Sequence, residues 1–214
     1  MRVLVTGGPG VLGSASIPLL RDAGHTVDAP AGPSSTSSTP MPSRSRLPTR
    51  TRSSTSPPGS RRPNAWPIAK PGATPIASAP RDAALAASVE WFLFPSIAFV
   101  YPESGEVDES TPVADTVPEI LLSALEAERH VARFNGDGRR GVVLRLGVLY
   151  GPSIGKEMPA ERWAAYGATL RIEDAGRAIA AATEIPGGVY NVVSDGERVS
   201  NERFKGTAGW RPEF

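Results

Sequence analysis

Met1–Gly13, MRVLVTGGPGVLG, constrains this chain more than any other stretch. Val3, Leu4 and Val5 form a short apolar run of the kind that makes a buried strand. It breaks into Thr6-Gly7-Gly8-Pro9-Gly10-Val11-Leu12-Gly13, and an apolar helical pattern follows. A strand that ends in a glycine turn and opens a helix is a phosphate cradle. Gly7 permits the tight turn, Gly10 lets backbone approach a pyrophosphate, and Gly13 lets the helix pack against the strand. The helix start then offers unpaired N–H groups and a partial positive charge. Thr6, Gly7, Gly8, Pro9, Gly10, Val11, Leu12 and Gly13 are therefore the cofactor-binding candidates.

Bulk properties exclude several classes. The 214 residues carry a net charge of +1, which makes nucleic acid an unlikely partner. No apolar run reaches the ~20 residues of a membrane span. Cysteine is absent, which removes disulfides and thiolate metal sites and makes the cytoplasm the expected location. His25 and His130 are the two histidines, and nothing spaces them as a metal pair.

Leu12–Ala23 reads as the first helix, bent at Pro18 and closed by Gly24. The second strand begins at His25-Thr26-Val27. Pro30–Pro80 is different in kind: twelve prolines, eleven serines, six arginines, one lysine and no acid. It carries +7, leaving −6 for the rest of the chain. Such a composition cannot build strands and packed helices. Three readings stand: a basic insert for an anionic partner, a solvated linker, or an out-of-frame translation of a segment that once encoded the missing elements. Pattern resumes near Arg81. Arg81–Val89 reads as a helix, Trp91–Phe94 as a central parallel strand, Pro118–Phe134 as a long helix with Glu126 set to pair with Arg129 or His130, and Val142–Leu146 as a further strand. Ile172–Thr183 reads as a helix and Gly188–Val193 as the last strand. The fold class expected is α/β: an incomplete Rossmann-like parallel sheet with helices on both faces, its strands near 2–6, 25–29, 90–96, 141–146 and 189–193.

The glycine turn resembles the start of the extended short-chain dehydrogenase/reductases, the NAD-dependent epimerase/dehydratase superfamily, whose pattern is T-G-x-x-G-x-x-G. Arg145–Pro152, RLGVLYGP, is similar to the superfamily's R-x-G-x-x-Y-G-P segment, and Leu170–Ala175 to its V-x-D-x-A segment. The resemblance covers residues 1–27 and 81–214 in separated blocks. It implies NAD or NADP as cofactor, a small polar substrate such as a nucleotide sugar, and a homodimer among the expected partners. It also implies a division into a dinucleotide-binding part, 1–152, and an abridged substrate-side part, 153–214. The acid or base that reads the adenosine ribose falls by spacing near Ala31, and none stands there, so weak binding without preference between the two cofactors is expected. The superfamily's Tyr-x-x-x-Lys pair falls on Ile120 and Ala124, and its serine on Ile97. Ser96, one residue early, and Tyr101 are the remaining catalytic candidates; Ser96 and Arg145 are also cofactor candidates. The plainer reading gives all three a structural role, with Arg145 bonding the loop after its strand. Asp174 reads as an acid at a helix start, explained by the dipole. A catalytically silent dinucleotide-binding or sensor protein, or a decayed product without activity, are the alternatives to an enzyme.

Overall fold

A computed structural model describes residues 1–29, 84, 89–157 and 167–213. In chain order these form β1 (Arg2–Leu4), α1 (Val11–Asp22), β2 (Thr26–Asp28), β3 (Trp91–Ile97), α2 (Glu119–Ala132), β4 (Arg140–Leu146), β5 (Val148–Tyr150), β6 (Thr169–Arg171), α3 (Ile172–Ala181), β7 (Gly188–Val192) and α4 (Glu202–Ala208). All strand pairing between these elements is parallel, as βα units with crossover helices require. Among the described residues the strands divide into three sheets: β1 with β2, β3–β4–β7, and β5 with β6.

The five expected strands are present, with two corrections. The strands do not join into one sheet among the described residues. And β3, read as central, has one strand partner among the described residues, where β4 lies between β3 and β7. Gly141–Leu146 is buried at every position, whereas Trp91–Phe94 is half-buried throughout. The aberrant segment 30–80, and the missing central strands expected there, lie outside the described residues. So does the helix over 81–89, except that Ala84 is helical and its carbonyl accepts the Val89 N–H at 3.0 Å.

Strand alternation sorts β4 into two faces. Val142, Leu144 and Leu146 join Ile172, Ala175, Ala178 and Ile179 of α3 in one buried cluster, against which Leu12 and Ala15 of α1 also pack. Val143 and Arg145 face the other way, where Arg145 meets α2. Helices thus cover both faces. Helix α1 runs through Pro18 without interruption. Its end is set by Gly24, whose φ of +82° suits a residue without a Cβ, and the His25 N–H reaches the Leu20 carbonyl at 3.0 Å.

The C-terminal elements close the first face. Phe204 of α4 is fully buried between the rings of Tyr190 and Trp210, with centroids 5.9 and 5.4 Å away. Asp174 does more than complement the α3 dipole. Its carboxylate is fully buried, pairs with Arg177, and accepts the Glu213 N–H at 3.1 Å; its carbonyl accepts the Trp210 indole N–H at 3.2 Å. The dipole-only reading is corrected: Asp174 clips the chain's C-terminal residues to α3. Truncating Phe204 to alanine should lower stability by about 3–5 kcal/mol, the cost of emptying a buried aromatic site, read as a lower midpoint in urea denaturation.

Candidate functional site

The glycine turn bridges β1 and α1. Gly7 takes φ +74°, and the Gly10 N–H closes the turn on the Gly7 carbonyl at 2.8 Å. A Cβ on Gly10 would lie 3.0 Å from that carbonyl oxygen. One on Gly13 would overlap the Gly8 carbonyl and lie 2.8 Å from that of Gly7. Gly13 is therefore required by the turn itself, a correction to the expectation that it serves helix-on-strand packing. Gly8 is buried, and a Cβ there would meet that of Ala29 at 2.8 Å. Helix α1 has no side-chain cap and no acid in its first turn. Its positive end is left for an external anion, so the turn fits a pyrophosphate. At the end of β2, Asp28 is engaged by Arg2 at 2.7 Å, so its carboxylate is committed to a salt bridge on the surface.

The second set of candidates is a polar row across the three-stranded sheet. Ser96, Arg145 and Asn191 are partners in register on β3, β4 and β7. Register puts their side chains on one face, and α2 covers it with Glu128. The Ser96 hydroxyl donates to Glu128, and Arg145 gives the same carboxylate Nη2 at 2.7 Å and Nε at 3.1 Å. Arg145 Nη1 also donates to the Tyr101 hydroxyl at 2.9 Å, and Tyr101 donates to Asn191 Oδ1 at 2.8 Å. The guanidinium lies 5.1 Å from the Tyr101 ring centroid. Every member is buried. Arg145 is thus held by α2 and Tyr101 rather than by the loop after its strand.

Burial and charge act against each other along the row. Burial opposes the charge on Arg145, but the hydrogen bonds and charge of Glu128 outweigh it and raise the guanidinium pKa. Burial raises the Tyr101 phenol above its ordinary value, against the opposing effect of Arg145. The row continues into the loop after β3. The Glu109 carboxylate accepts the Asn191 backbone N–H at 2.6 Å. Burial raises the Glu109 pKa more than that hydrogen bond and the Arg203 charge lower it, and Asp108 adds to the rise.

Both catalytic candidates therefore lie in one network, together with Arg145, while the glycine turn forms a separate site on α1. Glu128, Asn191 and Glu109 were not singled out as site residues. The signal was there for Asn191: like Arg145 in VVLRL, it is a lone polar residue inside an apolar strand, VYNVV, and such a residue must find a buried partner. Among the described residues no group of histidine, aspartate or glutamate could hold a metal, and no helix is long and apolar enough to cross a membrane.

No protein-family model matches the sequence, and no curated protein matches it. Solved structures do match the fold. A short-chain dehydrogenase/reductase superfamily protein from Agrobacterium tumefaciens with bound NAD gives a TM-score of 0.67 at 17% identity, over 100% of this chain and 93% of that one. UDP-glucuronic acid 4-epimerase from Bacillus cereus in complex with NAD gives 0.68 at 16%, over 100% and 94%. A human epimerase family protein with NADPH gives 0.56 at 19%, over 99% and 81%. The chain has the Rossmann-like α/β fold of the short-chain dehydrogenase/reductase and NAD-dependent epimerase structures.

Two outcomes test the polar row. Arg145→Met leaves a buried carboxylate unpaired and should cost about 3–5 kcal/mol; adding Glu128→Leu should recover much of that loss, giving a strongly non-additive double-mutant cycle in urea denaturation. Because the raised Glu109 pKa makes the folded state hold its proton more tightly than the unfolded chain, its contribution is full at low pH and is lost as pH rises through the raised value. Glu109→Gln should remove that component, so the stability difference between variant and wild type should grow in the variant's favour from pH 4 towards pH 8.

Proposed function

We propose that this chain is an NAD(P)-binding protein of the epimerase/reductase kind that acts on a small polar substrate of the nucleotide-sugar class. The observation that carries the reading is the glycine turn. Its tight backbone approach at Gly10 and Gly13, and an α1 start without acid or cap, suit a dinucleotide pyrophosphate. Thr6–Gly13 would hold the pyrophosphate. When bound, the nicotinamide supplies reversible hydride transfer. The expected weak affinity and lack of cofactor preference rest on the sequence near Ala31, outside the described residues, where no acid or base stands by spacing; at the end of β2, Asp28 lies in an exposed pair with Arg2.

A cavity of about 390 Å³ beyond the C-terminal end of β7 suits the substrate side of this reading; Glu106, Ser194, Asp195, Arg198, Asn201 and Lys205 are among its lining residues. In open parallel sheets, ligands settle outside the carboxyl ends of the strands. Residues 1–152 would then serve the cofactor and 153–214 the substrate, in a cytoplasmic protein.

A specific observation favours a second reading, a dinucleotide-binding protein without hydride chemistry. Ser96 and Tyr101 are both tied into the Glu128–Arg145 network and buried. Ala124 occupies the position at which the superfamily's lysine is expected.

Calorimetric titration with NAD⁺, NADH, NADP⁺ and NADPH tests the cofactor site. The expected constants lie in the high micromolar range, because each ribose or amide hydrogen bond that is lost forfeits about 0.5–1.5 kcal/mol. Gly10→Asp should abolish the heat of binding, since the added carboxylate would fill and repel the pyrophosphate position. Submicromolar, selective binding would overturn the expectation drawn near Ala31, and wild-type binding that survives in Gly10→Asp would overturn the cradle. Reduction of bound NAD⁺ on adding UDP-sugars, followed by absorbance at the reduced nicotinamide band, separates the enzyme from the silent binder.

A further inference from the structure

The glycine turn has an unusual support. Among the described residues, β1 and β2 pair with each other, and no ladder between described strands joins them to β3–β4–β7. The turn is joined to the main core through α1, which lies against α3. At that seam the helix backbones nearly touch. A Cβ on Gly176 would lie 2.6 Å from the Ala15 carbonyl oxygen, 2.9 Å from its carbonyl carbon and 3.2 Å from its Cβ. Two of these contacts are with backbone, which cannot turn aside as a flexible side chain can. Around the seam, Leu12 and Ala15 pack against the cluster that contains Ile172, Ala175 and Ile179, and Ser16 is buried with its hydroxyl on the Leu12 carbonyl at 2.8 Å.

We infer that Gly176 is a positioning residue for the nucleotide cradle: by letting α3 meet the Ala15 backbone, it fixes where α1 presents its N-terminal turn. The inference rests on the reading of that turn as a dinucleotide site, and it extends the site to a residue far from it in sequence. Gly176 is two residues from Asp174, whose clip on Trp210 and Glu213 holds α3 to the C-terminal residues. The cradle at the start of the chain is therefore seated on a helix that the end of the chain holds in place. Interiors this dense pass a displacement on rather than absorbing it.

The test compares Gly176→Ala and Gly176→Val with wild type in the full chain, by titration with NAD⁺ and NADP⁺ and by amide hydrogen exchange. Gly176→Val should weaken nucleotide binding by about tenfold or more, because overpacking at a backbone contact must push the helices apart. Gly176→Ala should show a smaller loss in the same direction. Exchange should quicken in α1 and β2 while Val142–Leu146 of β4 keeps its protection, a pattern that general destabilisation would not give. Unchanged affinity and α1 protection in both variants would overturn the inference. So would a loss of protection in the milder alanine variant that is equal in α1 and β4. If the wild type binds neither nucleotide, the dinucleotide reading fails on its own, whereas binding by wild type that both variants retain in full sinks only the role of Gly176.

Discussion

The buried pair of Glu128 and Arg145 sets the terms for the middle of this molecule. Two ions withdrawn from water are tolerable only where each is answered by opposite charge and hydrogen bonds. Arg145 satisfies this in its place alone: on β4 it is flanked in register by Ser96 and Asn191, and α2 brings Glu128 above it. A one-residue slip of β3 or β7 would send its polar neighbour to the opposite, apolar face. The same slip would strand the Arg145 and Glu128 partners. The pair therefore ties together the register of three strands and the docking of α2, while the apolar face of the same strands supplies most of the burial.

The sequence was most legible where a single residue type has a single physical use. Gly24 ends α1, Gly7 makes the turn, and the Val142–Leu144 run forms the fully buried strand. It was less legible where the answer lay in a distant partner. Gly13 looked like a packing glycine, but its missing side chain leaves room for the turn's own carbonyls. Asp174 looked like a dipole acid until the chain returned from residue 210 onward to bond with it. Trp91–Phe94 is as apolar as a central strand, and composition alone could not show that its side chains are half-buried where those of β4 are buried. Strand alternation places the Ser96 hydroxyl on Glu128, with the rest of the polar row.

The two faces of the central sheet divide the labour between the termini. On one face, α1 from the start of the chain and α3 from near its end share a cluster with Phe204 and Trp210. On the other, α2 seals the polar row. The glycine turn depends on the first face through α1, and Ser96, Arg145 and Tyr101 depend on the second.

That separation bears on chemistry. An acid/base tyrosine needs a pKa brought towards neutrality and access to the reacting atom. Tyr101 has neither. Burial drives its pKa up against the opposing effect of Arg145, which is itself held to Glu128 by bonds from Nε and Nη2. At neutral pH the phenol keeps its proton and donates it to Asn191, a bond that fixes the end of β7 rather than presenting a proton to a ligand. Freeing Tyr101 would mean displacing the loop that Glu109 anchors on the Asn191 N–H and giving up two hydrogen bonds of a buried network. The arrangement that makes this region a firm structural support is the one that holds the Tyr101 proton in a buried bond to Asn191.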